Sequence, residues 1–101
     1  MPAKLVVLYG IPDDSEAFDA HYRDTHAPLV EKIPGLQRWS LAKFVGAADG
    51  GDVPYYQVVE LHFAEASDID AAFGSEDGKA AAADYGVLAP PGSRMFIAVS
   101  D

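Results

Sequence analysis

The sequence has 101 residues, half of them apolar or aromatic and 23% charged, with sixteen acids against seven Lys and Arg for a formal net charge of −9. That length fits a single domain over residues 1–101, with its core in about residues 4–99, and the apolar fraction argues against disorder. The acidic balance argues against a nucleic-acid or anionic-membrane partner, and the lack of cysteine rules out disulfides, thiolate nucleophiles and Cys-based zinc sites.

No apolar run approaches the roughly 20 residues that a membrane-spanning helix needs. Near the N-terminus only the short run Leu5–Tyr9 follows Lys4, which does not make a signal peptide, so a cytoplasmic location is expected. Leu5–Tyr9 reads as a buried strand, ended by Gly10 and Pro12. Asp13, Asp14 and Ser15 offer N-cap oxygens for a helix whose apolar positions are Phe18, Tyr22, Leu29 and Ile33. Pro28 should break or restart that helix, and Pro34-Gly35 ends it.

Leu36–Val45 reads as a second strand, and Gly46–Pro54 as a loop. Tyr55–Phe63 is the clearest strand, with Tyr55, Gln57, Val59, Leu61 and Phe63 on one face and Tyr56, Val58, Glu60 and His62 on the other. Ser67, with Asp70, is expected to cap a second helix; Ser75 caps its continuation and Tyr85-Gly86 stops it. Pro90-Pro91-Gly92 forms a turn, and Arg94–Val99 closes the chain as a strand.

The order β-α-β-β-α-β implies an α+β, ferredoxin-like fold: a four-stranded antiparallel sheet with both helices on one face. Apolar residues on both faces of the terminal strands imply that the bare sheet face pairs with a second copy. A dimeric α+β barrel results, with a cleft between the sheets for a small hydrophobic ligand.

His26 falls beside the buried helical stripe, one turn beyond Tyr22. It can be a general acid/base or a packed ring bonded to a backbone carbonyl, and spacing leaves both readings open. His21 and His26, five apart, sit well apart around an α-helix and nothing brings His62 to them, so no metal site is expected. Glu60 and His62 handle substrate if their strand face lines the cleft and are solvated if it does not. No nucleotide-binding fingerprint or other cofactor motif is visible.

Lys4–Pro12, Phe18–Tyr22, Thr25-His26-Ala27-Pro28-Leu29, Ile33–Leu36, Tyr55–Phe63 and Ser75–Asp84 together resemble the EthD family, over nearly the whole chain and in the same order. That family is associated with bacterial gene clusters for ether degradation and belongs to the dimeric α+β barrel superfamily. The resemblance implies a homodimer and favours a functional His26, since relatives place a site-proximal histidine in the matching segment. The chain departs from cyclase-like relatives in having no histidine in Ser75–Gly78.

Two functions follow as expectations. The first is a cofactor-independent isomerase, cyclase or monooxygenase acting by proton transfer on a small apolar oxygenated metabolite. In it His26 is the acid/base, Tyr22 and Tyr56 orient an oxygen, and Trp39 and Phe44 form apolar walls. The second is a non-catalytic ligand-binding or accessory protein for a partner oxygenase.

Overall fold

A computed structural model describes all 101 residues. β1 (Ala3–Gly10) alternates buried and half-buried residues, as a strand with one covered face must. With β2 (Arg38–Lys43), β3 (Tyr55–Phe63) and β4 (Arg94–Val99) it forms one sheet in the order β2-β3-β1-β4, antiparallel throughout. The β-α-β-β-α-β order is thus realised, with each helical crossover divided in two.

The covered face carries Leu5, Val7 and Tyr9 of β1 and Val59, Leu61 and Phe63 of β3, packed with Phe18, Tyr22, Val30 and Ile69 from the helices. Burying each such aliphatic or aromatic side chain contributes roughly 1.5–3 kcal/mol. The helices do not reach across the whole sheet. Met95 and Ile97 of β4 share the covered face by register with Val7 and Leu5, yet are 47% and 55% exposed.

α1 (Ser15–His21) starts at Asp14, whose carboxylate accepts from the Ala17 amide at 3.1 Å. The expected break at Pro28 takes a particular form. Pro28 has no N–H to give to the carbonyl four residues back, and its ring would clash there. The chain widens into a π-helical turn over Tyr22–His26, closed by the Ala27 amide on the Tyr22 carbonyl, and resumes as α2 (Ala27–Val30). Such single π turns occur often at functional sites.

The third helix, α3 (Ala66–Gly74), begins at Glu65 rather than at the expected Ser67. Glu65 and Asp68 each bond the other's backbone N–H, the reciprocal pairing of a capping box. Ser75 caps α4 (Glu76–Leu88) as expected, accepting from the Gly78 amide at 3.0 Å. A Cβ on Gly78 would lie 1.9 Å from the Ala72 carbonyl oxygen, so only glycine lets α4 turn this closely against α3.

Gly86 does not stop α4. The helix runs on to bury Leu88, and Pro90-Pro91 lies just beyond its end.

Candidate functional site

A cavity of about 350 Å³ lies between the helices and the covered sheet face. Thirteen of its fourteen lining residues are hydrophobic, and the exception is His26. Leu5, Val7 and Leu61 form its floor, Val30, Ile69 and Ala81 its helical walls, with Ile33 from the segment after α2, and Met95 and Ile97 its edge on β4. An apolar cavity of about 150 Å³ accepts benzene, so this one has room for a larger apolar ligand.

The π turn decides how His26 is presented. In a helix bonded five residues apart, residues at that spacing lie on one side, so His21 and His26 come together instead of diverging. Both meet Asp84 of α4. His26 Nδ1 lies 2.8 Å from Asp84 Oδ2, and His21 Nε2 lies 2.9 and 3.1 Å from the two carboxylate oxygens. The sequence-level expectation that these imidazoles stand apart is corrected, because it assumed α-helical geometry through Pro28.

An acceptor carboxylate at Nδ1 holds the proton of the neutral ring on that nitrogen and leaves Nε2 as the basic lone pair. His26 is 5% exposed, and burial pushes its pKa below the ordinary histidine value, outweighing the attraction of Asp84. Burial pushes Asp84 up, but hydrogen bonds from His21 and His26 outweigh this and hold it below the usual carboxylate range. The result is a neutral imidazole backed by a carboxylate, as general base chemistry needs.

Both shifts carry the same sign for stability. The unfolded chain takes up a proton on residue 26 at a pH where the folded ring does not, so stability is full above about pH 6.5 and falls as pH drops through that value. Protonation of Asp84 adds a further loss at lower pH. Thermal melts stepped downward from neutral pH are expected to show the decline beginning near pH 6.5 in the native sequence. In His26→Gln the loss in that window is expected to shrink to the part that His62 contributes; identical profiles would contradict the assignment.

The other expected site residues lie elsewhere. Tyr22 packs against His26, ring centroids 5.0 Å apart, without lining the cavity. Its hydroxyl is buried without a hydrogen-bond partner, and burial raises its pKa, so it stays neutral. Trp39 lies 6.3 Å from Tyr22, beside a separate, more polar groove with Asp19, Arg23, Lys43 and Gln57.

Phe44 lies just past the end of β2, 39% exposed. Tyr56 is turned by a bulge. Tyr9 pairs with Gln57 and Gly10 with Tyr55, so Tyr56 is the extra residue and leaves the alternating pattern. Its ring meets Phe18 edge-on, and its hydroxyl donates to Asp19 at 3.0 Å. The expected grouping of Tyr56 with Glu60 and His62 therefore does not hold.

Glu60 and His62 sit on the open sheet face, opposite the cavity. Glu60 pairs with Lys4 at 2.6 Å, and the hydrogen bond from Lys4 lowers its pKa. His62 stands across from Lys4 and Arg38, its pKa lowered by burial and by Arg38. The sequence expectation placed the cleft between paired open faces; this cavity lies between the sheet and its own helices.

Asp84 was missed. Its signal was weak but physical: an acid in the latter half of an alanine-rich helix lies toward the negative end of the macrodipole, where a carboxylate needs a partner. Tyr9 and Tyr85 were missed too. Both line the cavity, and burial raises both pKa values, keeping their hydroxyls protonated as donors.

Comparisons with known proteins agree with this architecture. The model of the EthD domain matches residues 13–91. An uncharacterized 11.0 kDa protein in the thcB-thcC intergenic region of Rhodococcus erythropolis is 35% identical over 93 residues, covering 92% of this chain and 89% of that protein. A crystal structure of an ethyl tert-butyl ether d (EthD) family protein from Bacillus halodurans is 34% identical, covers both chains fully and superposes with a TM-score of 0.92.

SnoaB, a cofactor-independent oxygenase from Streptomyces nogalater, shares the fold alone at 14% identity and a TM-score of 0.69, over 98% of this chain and 92% of that one. With a family match over most of its length and a full-length structural counterpart, the chain belongs to the EthD family.

Proposed function

We propose that this chain is a cofactor-independent enzyme that moves a proton on a small, largely apolar, oxygen-bearing metabolite held between its helices and sheet. One observation carries the reading: the one basic group lining an otherwise hydrophobic cavity is an imidazole backed by a carboxylate at 2.8 Å. An apolar wall has no need of such a pair. A base that must take a proton from carbon or oxygen without water does.

His26 Nε2 accepts the proton, and the electron pair left on the substrate moves onto its oxygen. Protonated Tyr9 and Tyr85 are the donors available to that oxygen. Isomerase, cyclase, lyase and cofactor-free oxygenase chemistry all begin with this step. The names of the similar proteins, one an ethyl tert-butyl ether d (EthD) family protein and one a cofactor-independent oxygenase, fit a protein acting on small molecules.

The test uses 2-tetralone, a bicyclic ketone with acidic protons beside its carbonyl. In D2O the protein is expected to bind it and speed deuterium exchange at that carbon. Binding without exchange, for this ketone and a panel of related ketones and lactones, would overturn the enzyme reading in favour of a carrier or accessory protein.

The carrier reading has its own support in the cavity's uniform hydrophobicity. Under either reading Ala81→Leu, which adds a branched side chain at a buried wall position, is expected to fill part of the space. The melting temperature should rise, by about 1 kcal/mol of stability, while affinity for 2-naphthol, followed by fluorescence, falls about tenfold or more. Unchanged affinity would place the ligand elsewhere.

A homodimer is part of the same proposal. β4 is uncovered on both sides, with Phe96 44% exposed on the open face and Met95 and Ile97 exposed at the cavity edge. Covering this strand with a second copy removes an apolar area rarely left bare on a monomer. Sedimentation equilibrium is expected to give twice the chain mass at micromolar concentration, and a monomer there would sink the pairing.

A further inference from the structure

The cavity leaves a difficulty for any base inside it. Once an apolar ligand fills the space, no water stands at Nε2 to take away the proton that His26 accepts or to return one. The far side of the ring offers a route. His26 Nδ1 bonds to Asp84 Oδ2 at 2.8 Å, and His21 Nε2 touches both oxygens of the same carboxylate, at 2.9 and 3.1 Å.

The surroundings of the three groups are graded. The side chain of His26 is 6% exposed, that of Asp84 13% and that of His21 32%. The chain of contacts thus leads from the cavity wall to solvent in two hydrogen bonds. A packed histidine would need only one acceptor, and Asp84 alone supplies it.

We propose that Asp84 and His21 form a proton path behind His26, through which the buried imidazole exchanges its proton with water while a ligand fills the cavity. The proposal rests on reading His26 as the acid–base group of the cavity. Protons balance at each link. With His21 in its Nδ1–H tautomer, the His26 imidazolium gives its Nδ1 proton to Asp84, Asp84 passes a proton to the free Nε2 of His21, and His21 releases its Nδ1 proton to water. His21 then donates to Asp84 from Nε2, and reprotonation of His26 runs in reverse from that state.

The other titratable group that feels the carboxylate is Tyr9 of β1, with Tyr22 and Tyr85 packed against its ring. All three phenols stay protonated at neutral pH, so none competes for the proton. His21 and Asp84 touch no ligand in this scheme; they position and serve His26.

The experiment follows the Nδ1 proton of His26 by 15N-edited NMR on the full chain, with the cavity free and with naphthalene as an apolar plug. In the native protein the plug is expected to leave exchange with water nearly unchanged. His21→Gln keeps a donor for Asp84 but cannot relay, and exchange in the plugged protein is expected to slow about tenfold or more. His21→Ala should be slow as well, and recover with added imidazole but not with the same ionic strength of sodium chloride.

Exchange as fast in His21→Gln as in the native protein, or recovery with salt alone, would overturn the path. Naphthalene that leaves the Val30 and Ile69 methyl signals unmoved would count against the cavity reading instead. The free-protein comparison of native chain, His21→Gln and imidazole-rescued His21→Ala then decides the path by itself.

Discussion

His26→Gln is expected to reduce deuterium exchange into 2-tetralone by about 10²–10⁴-fold, the usual contribution of a positioned acid–base group. Glutamine is close in length and its amide can still donate to Asp84, so the helix packing around the π turn survives. It has no nitrogen lone pair to accept a proton. Binding of the ketone should change little, because the rest of the cavity lining is hydrophobic and untouched. Mass spectrometry of the exchanged ketone, alongside a binding isotherm, separates the two effects. Loss of binding and exchange together would make the residue a structural part of the wall.

Asp84→Asn is expected to cost nearly as much activity for a different reason. The carboxylate accepts from both imidazoles, which sets the proton of His26 on Nδ1. An asparagine presents one acceptor and one donor in the same place. When its NH₂ faces Nδ1, the ring carries its proton on Nε2, pointing the wrong nitrogen at the ligand. Exchange should fall about 10²–10⁴-fold, as when a carboxylate that fixes a catalytic imidazole is neutralised. The fold should persist, with a stability loss of about 1.5–3 kcal/mol from the weakened charge-assisted bonds. Activity equal to the native protein, with the melting temperature lowered, would reduce Asp84 to a packing role.

These two substitutions also mark how far the residues alone reach. Strand alternation in Leu5–Tyr9 and Tyr55–Phe63 was enough to place the core, since period-two burial is local to each strand. The order of elements then gave the sheet topology. The exceptions were places where one residue altered the local geometry. Pro28 forces a π turn, which no α-helical wheel describes, and so brings His21 and His26 onto one carboxylate. The bulge opposite Gly10 turns Tyr56 away from Glu60 and His62.

The site was only half legible for a related reason. His26 sits in a recognisable segment and could be singled out. Asp84 lies 58 residues away on another helix, and that pairing depends on how α4 docks against the first crossover. The placing of α4 also involves Gly78, where α4 approaches α3 too closely for a Cβ. The choice of sheet face was equally hidden. Both faces of β1 and β4 carry apolar residues, and only the tertiary structure puts the cavity on the helix side.

The central claim is that Nε2 of a neutral His26, with its proton held on Nδ1 by Asp84, meets the polar atom of a ligand in the apolar cavity. Histidine 15N NMR with 2-naphthol tests it directly. The free protein is expected to show the His26 Nδ1–H tautomer at neutral pH. Naphthol should then move the Nε2 resonance as that nitrogen accepts the hydroxyl proton, while the Nδ1–H signal to Asp84 persists. An Nε2–H tautomer in the free protein, or naphthol binding that shifts the cavity methyls and leaves Nε2 unmoved, would contradict it.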